Sequence, residues 1–189
     1  MPTDPLAWET LDRSVAYTCP GFDIVNETVQ LPDGTETDFD YLADDPSVAV
    51  LPFTADGEVV LIEEWRQAVD RVSRGLPVGG VESDDEAIAA AARRELAEET
   101  GYEAETLEEL VTVEPANGIS NAVLHLFVAR GCRQTADQQL DHDESIRVTT
   151  TTLEELVTAI GDGEVRDGRT VLGVSYYRLF DDDRTDEES

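Results

Sequence analysis

The segment Gly80–Tyr102, GVESDDEAIAAAARRELAEETGY, constrains the fold more than any other stretch of the chain. Its alanine-rich middle favours helix. Ser83 followed by Glu86 reads as a capping box and Gly101 supplies a C-terminal stop, so a helix is expected over Asp84–Thr100. At ~100° per residue, Ile88, Ala92 and Leu96 fall on one stripe. Glu95 and Glu99 lie within about 40° of each other on the edge of that stripe, with Glu98 beside them. Solvated glutamates belong opposite an apolar stripe; these continue it.

Carboxylates three and four residues apart repel one another. Partial burial raises their pKa unless a cation compensates. Arg94 can offset one of the three, and a hard divalent cation with oxygen ligands is the natural partner for the others; Mg2+ favours one or two carboxylates plus waters and phosphates. The competing reading is a solvated, glutamate-rich face, and it has weight in a chain with 43 acidic residues.

Those acids face 13 cations, all arginine, for a formal net charge of −30 over 189 residues. Such a chain does not bind nucleic acid through a broad basic surface, and charge does not hold it on an anionic membrane. No apolar run approaches the roughly 18 residues that span a bilayer, and Met1–Pro5 shows no signal-peptide pattern. A cytoplasmic protein is expected. Hydrophobic residues make up 40% of the chain, enough for a core. The charge then reads as an acidic shell, whose self-repulsion opposes compaction at low ionic strength and is screened when the Debye length falls to roughly 3 Å near 1 M salt. With no lysine, this composition resembles that of halophile proteins, and a halophilic cytoplasm is the expectation. Cys19 and Cys132 have no metal-type spacing and are expected as reduced thiols, at most one of them partly buried.

Along the chain, Phe22–Leu31 and Thr35–Leu42 read as a hairpin around Pro32-Asp33-Gly34, and residues 1–14 carry few strand signals. Asp44-Asp45-Pro46 marks a boundary, which divides the chain into an N-terminal β extension (1–45), a main domain (46–180) and an acidic, disordered tail (181–189). Ser47–Phe53 and Glu58–Arg66 read as strands, with Val59–Ile62 buried on both faces. Ala122–Arg130 and Ser145–Thr152 are further strands, Gln134–Asp143 a mobile loop, and Leu153–Ile160 and Thr170–Phe180 helices. The mixture lacks regular βαβ alternation, so the expected class is α+β, as an α/β/α sandwich.

The full spacing carries a resemblance. Gly80, five residues, Glu86, seven residues, then Arg94-Glu95-Leu96-Ala97-Glu98-Glu99-Thr100-Gly101 resembles the Nudix box, with Tyr102 where an aliphatic is more usual. The resemblance implies the Nudix fold, a mixed sheet between helices, and hydrolysis of a nucleoside diphosphate linked to another moiety with Mg2+ or Mn2+. It implies Glu95, Glu98 and Glu99 as metal ligands, a backbone carbonyl from Gly79 or Gly80, and Arg94 as the residue orienting the glutamates. Glu98 and Glu99 are also catalytic candidates. Glu86 reads as structural, through the capping box. Metals neutralise pyrophosphate oxygens and lower the pKa of a bound water, and a carboxylate within reach of that water takes its proton.

Outside the box, roughly residues 8–180 are similar to the ADP-ribose pyrophosphatase branch. The segments that carry this are Leu31–Gly34, Trp65-Arg66-Gln67, Leu76–Gly80, Pro115 with Gly118-Ile119-Ser120, His125-Leu126-Phe127, Asp143-Glu144 and Gly163–Thr170. The branch implies ADP-ribose as substrate, Arg66 on phosphate or ribose, Trp65 stacked on adenine, Gly118 near the substrate, and Glu144 as general base or further ligand with Asp143 as runner-up. It also implies a homodimer through residues 15–45. His125 reads as a cross-strand residue and His142 as a loop residue. Gly75 and Asn121 stand where the branch usually carries acids, which keeps other substrates open: another nucleotide sugar, NADH or a dinucleoside polyphosphate. A non-catalytic nucleotide-binding regulator is the alternative of a different class.

Overall fold

The computed structural model describes residues 4–142 and 144–181. The chain forms two compact units, Met1–Pro46 with Glu114–Val123, and Ser47–Val113 with Leu124–Ser189.

The first unit is an antiparallel sheet of β1 (Glu9–Cys19), β2 (Phe22–Gln30) and β3 (Glu36–Ala43), in that order. The hairpin turns at Gly34, whose φ of 87° suits glycine. Val25 and Val29 of the central strand are buried. β1 corrects the reading of residues 1–14 as poor in strand. Register shifts between Thr10 and Asp12 and between Val15 and Tyr17 interrupt its pairing with β2, and every residue of β1 but Cys19 is exposed. The Glu114–Val123 segment joins this unit: Leu42 N–H donates to the Ile119 carbonyl, and Asp44 N–H to Asn121 Oδ1 at 3.0 Å.

The second unit holds a mixed sheet. Its main path runs β11 (Ile146–Thr151), β5 (Val59–Arg66), β4 (Ser47–Thr54), β10 (Leu124–Gln134), β8 (Tyr102–Glu103). β6 (Arg71–Gly75) adds to β5, β7 (Val78–Gly80) to β4 and β9 (Thr106–Val113) to β10. β4 and β10 are parallel and the other pairs antiparallel. Val48 to Leu51 are fully buried because both faces are covered. Ala49 and Leu51 pack with Leu126, Leu156, Val174 and Tyr177, on the side of α2 (Leu153–Gly161) and α3 (Gly168–Phe180). Val48 and Val50 pack with Ala91, Ala92, Leu96 and Phe127, on the side of α1 (Ile88–Thr100). The expected α/β/α sandwich is therefore the observed architecture.

Two details differ from expectation. α1 begins at Ile88, and its N-cap Ala87 makes no side-chain cap, so Ser83–Glu86 is not a capping box and Glu86 has no capping role. Asp85 organises that loop instead, accepting Glu82 N–H at 2.9 Å. The capping box lies at the start of α2, between Thr152 and Glu155. Cys132 is fully buried rather than partly, which pushes its thiol up to about 11; both cysteines are free.

α1 ends as expected at Gly101, where φ is 75° and the N–H reaches the Ala97 carbonyl. The following loop is tied back to the helix end. Thr135 N–H donates to the Gly101 carbonyl, Gln139 N–H to that of Glu98, and the Gln138 side chain to that of Glu99. Asp143 and residues 182–189, on which the runner-up base and most of the acidic tail fall, lie outside the described residues.

Candidate active site

The last turns of α1 carry the carboxylates, and β7 runs against them. Glu99 is 2% exposed and accepts the Val78 N–H at 2.8 Å. Burial pushes its carboxyl up to about 8; the Val78 N–H opposes this, and the Glu95, Glu144 and Glu64 carboxylates add to it. Glu95 is also buried, which raises its pKa against the pull of Arg94. Gly79 touches it: a Cβ on Gly79 would lie 1.9 Å from the Glu95 carboxyl carbon. Glycine is required there by space, since the backbone must pass directly beside the acid. Glu98 is partly exposed.

Arg94 ties these groups together. Its Nη1 donates to Glu95 at 2.8 Å and to Glu98 at 3.0 Å. Nη2 and Nε form a fork on Asp85 at 2.9 and 3.3 Å, and Nη2 also donates to the Gly80 carbonyl. The hydrogen bonds it donates to Asp85 and the two glutamates raise the Arg94 pKa further, so it is charged at every working pH. Arg94 thus contacts both Glu95 and Glu98, while its fork partner, Asp85, escaped the sequence reading. Arg94→Gln is expected to cost about 3 kcal/mol, because it leaves several acids without their cation. Thermal unfolding checks this, and Arg94→Lys should recover only a minority of the loss because a lysine lacks the fork.

β5 adds a carboxylate that the sequence reading missed. Glu64 is 8% exposed, on the strand side that carries Val60 and Ile62. Its Oε2 lies 2.6 Å from Arg66 Nη2. That oxygen nonetheless lacks a well-directed hydrogen bond among the described residues. Burial raises the Glu64 pKa, Arg66 and Arg169 lower it, and Glu144 and Asp167 raise it. Glu64 pairs across the ladder with Ile146, the first residue of β11, and Glu144 two residues earlier is among the charges that act on it. Glu144 Oε2 accepts the Asp141 N–H at 2.9 Å.

The structure thus brings Glu64, Glu95, Glu99 and Glu144 into one electrostatic neighbourhood, with Arg94 and Arg66 at its edges. It does not bring Trp65 there. Trp65 lies on the other side of β5, 46% exposed, with Nε1 donating to Gln67. Gly118 belongs to the first unit, and these acids belong to the second. His125 sits as expected in a cross-strand contact, its Nδ1 2.8 Å from Thr112 Oγ1.

The donor chemistry suits a hard divalent cation: carboxylate oxygens, three of the acids buried, and Glu99 held by one backbone N–H among like charges. Among the described residues, however, no group of three or more His, Cys, Asp or Glu side chains is already converged into a set that could hold a metal ion. The acids are adjacent and suited to a metal, but not yet gathered around one point.

The model of the NUDIX domain matches residues 44–171. The chain belongs to the Nudix family. The Nudix box coincides with β7, the Asp85 loop and α1, so the resemblance read from Gly80–Gly101 is carried by the elements that hold the buried acids. The chain is similar to a methanol dehydrogenase activator of Bacillus methanolicus, 30% identical over 154 residues, covering 81% of this chain and 83% of the relative. It is similar to an ADP-ribose pyrophosphatase of Bacillus subtilis, 28% identical over 172 residues, covering 90% and 92%. A solved ADP compounds hydrolase superposes with a TM-score of 0.81 over 92% of this chain and 93% of the other, at 19% identity, which shows a shared Nudix fold. The coarse activity follows with the family: a Nudix-type hydrolase acting on a nucleotide-linked pyrophosphate bond.

Proposed function

We propose that this Nudix protein cleaves ADP-ribose to AMP and ribose 5-phosphate with Mg2+ or Mn2+. The observation that carries the reading is the buried pair Glu95 and Glu99, continuing the apolar stripe of α1 and pinned against Val78 and Gly79. The ADP-ribose pyrophosphatases of Bacillus subtilis and Mycobacterium tuberculosis among the relatives support the choice of substrate.

Glu95, Glu98 and Glu99, with a Gly79 carbonyl, would hold the cation. When bound, it supplies charge neutralisation for the pyrophosphate oxygens and a lowered pKa for water. Arg94 keeps Glu95 and Glu98 in fixed orientation. Arg66 takes a phosphate oxygen. Glu144, beside these acids, accepts the proton of the attacking water as the new P–O bond forms and the bridging P–O bond breaks, the leaving phosphate oxygen carrying away the electron pair. Trp65 has an exposed indole, but its side of β5 gives no support to stacking beside the acids.

The test is a nucleotide panel in about 2 M KCl with Mg2+ or Mn2+, the salt chosen for full screening. ADP-ribose is expected to give AMP and ribose 5-phosphate at the highest kcat/KM. A GDP-mannose pyrophosphatase of Yersinia enterocolitica, 27% identical over 135 residues, makes GDP-mannose the competitor to include. Preferential turnover of GDP-mannose, NADH or a dinucleoside polyphosphate would reassign the substrate, and binding without turnover would make the chain a regulator.

Two properties belong to the same proposal. The acidic shell requires salt, so circular dichroism in rising KCl should show folding that is incomplete in dilute buffer; full folding and activity there would contradict it. The first unit supports a homodimer, since Leu11, Val15 and Tyr17 of β1 are 46%, 56% and 59% exposed. Light scattering in high salt should give twice the 20.7 kDa chain mass.

A further inference from the structure

Beside the acids lies a cleft between β5, β6 and the start of α3, lined by Glu64, Arg66, Ser73, Asp167 and Arg169. Its two arginines are built alike. Each is about one-third exposed, at 37% for Arg66 and 34% for Arg169, and each is held by an acid buried more deeply than itself, Glu64 at 11% and Asp167 at 16%. Arg66 Nη2 meets Glu64, while Arg169 donates from Nε at 3.2 Å and Nη2 at 2.9 Å to Asp167 Oδ2. These contacts engage Nη2 of Arg66 and both Nε and Nη2 of Arg169, and each guanidinium has further donors beyond them, since the group has five N–H donors.

The acid under Arg169 is itself fixed. Asp167 is the N-cap of α3, and its Oδ1 accepts both the N–H and the hydroxyl of Thr170. Thr170 Oγ1 in turn accepts the Leu76 N–H at 3.0 Å. Gly75 closes the framework: a Cβ there would lie 2.6 Å from Thr170 Oγ1. The Arg169 guanidinium is therefore pre-organised by the helix cap and by the strand that leads into the Nudix box. The cleft itself encloses only about 10 Å3, room for one water, so a larger anion does not fit inside it and would have to meet the partly exposed side chains of Arg66 and Arg169 from outside.

We infer that Arg66 and Arg169 form a two-guanidinium grip for a phosphoryl group of the substrate, with Glu64 and Asp167 as the positioning acids. The inference rests on the reading of this chain as a hydrolase of nucleotide-linked pyrophosphates and adds Arg169 to its binding residues. In a protein of net charge −30, an anionic substrate needs local cations. Paired arginines supply bidentate donors that match phosphate oxygens.

The experiment compares wild type, Arg169→Gln and Arg169→Lys at one ionic strength. Two readouts are taken: KM and kcat for ADP-ribose, and calorimetric binding of inorganic pyrophosphate to the intact protein without added metal. Arg169→Gln is expected to raise KM about tenfold while kcat stays within about twofold, and to weaken pyrophosphate binding by at least about fivefold. Arg169→Lys, which keeps the charge and loses the fork, should fall between. If Arg169→Gln folds poorly, the lysine variant decides by the same two readouts. Unchanged KM and unchanged pyrophosphate affinity would overturn the grip. If wild type turned over no nucleotide, the reaction reading would fall, and pyrophosphate binding would still decide the grip.

Discussion

Glu99→Gln is expected to lower kcat for ADP-ribose with Mg2+ by about a thousandfold, and at the same time to stabilise the metal-free protein at alkaline pH. The first effect follows from the proposed role of Glu99 as a direct ligand. Losing an outer partner of a metal ligand costs roughly 10–100-fold, and losing the ligand itself costs more. The second follows from burial. The folded carboxyl titrates near about 8 against an ordinary 4.5, so the native state keeps its proton to higher pH than the unfolded chain. The stability this gives is complete below 4.5 and is lost as pH rises through about 8. At about 1.4 kcal/mol per unit, the loss is of order 5 kcal/mol.

The surface acids do not imitate this signal. Ordinary carboxylates are ionised by about pH 6, so their mutual repulsion is nearly constant from there to pH 9. The melting temperature of chelator-treated wild type should fall across that interval, and that of Glu99→Gln should fall much less. Parallel curves would show that Glu99 is not held in the environment described here.

Gly79→Ala should be the most damaging one-methyl change in the protein's site. The added Cβ would lie 1.9 Å from the Glu95 carboxyl carbon and 2.1 Å from each of its oxygens. Either β7 moves off α1, breaking the Val78 to Glu99 hydrogen bond, or the Glu95 carboxylate leaves its place beside Arg94. Overpacking of this kind costs about 1–3 kcal/mol, occasionally more, and both alternatives displace a proposed metal ligand. We expect about 3 kcal/mol of destabilisation by denaturant unfolding and loss of detectable turnover. Gly80→Ala is the control, since a Cβ there meets nothing within 4 Å. It should stay within about 1 kcal/mol of wild type. Equal effects at the two glycines would contradict the close approach.

What could be read from the sequence follows the physics of each element. The carboxylate face of α1 was legible because a 3.6-residue period places Glu95 and Glu99 on the stripe of Leu96 whatever surrounds it. The helix start was not, because Ser83 and Glu86 satisfy a capping pattern while Asp85, forked by Arg94, shapes the chain there. Glu64 lies in phase with Val60 and Ile62, but the run Val59–Ile62 is buried on both faces and hides the alternation that would have pointed to it. β1 and β9 were both missed. Bulges shift their pairing, between Thr10 and Asp12 in one and opposite Leu126 and Phe127 in the other. In β9 this leaves Leu107, Leu110 and Val111 at a spacing that suits a helix as well as a strand. Arg169 and its supporting acid come together with Arg66 only through the tertiary docking of α3 beside β5 and β6, which no local pattern records.

The central claim is that the buried acids of α1 form a divalent cation site. Calorimetric titration of Mn2+ into chelator-stripped protein in high salt tests it most directly, with wild type and Glu99→Gln side by side. Saturable binding to wild type is expected, weakened at least about tenfold in the variant. Mn2+ binding of equal affinity in the two proteins, or none to wild type, would contradict it.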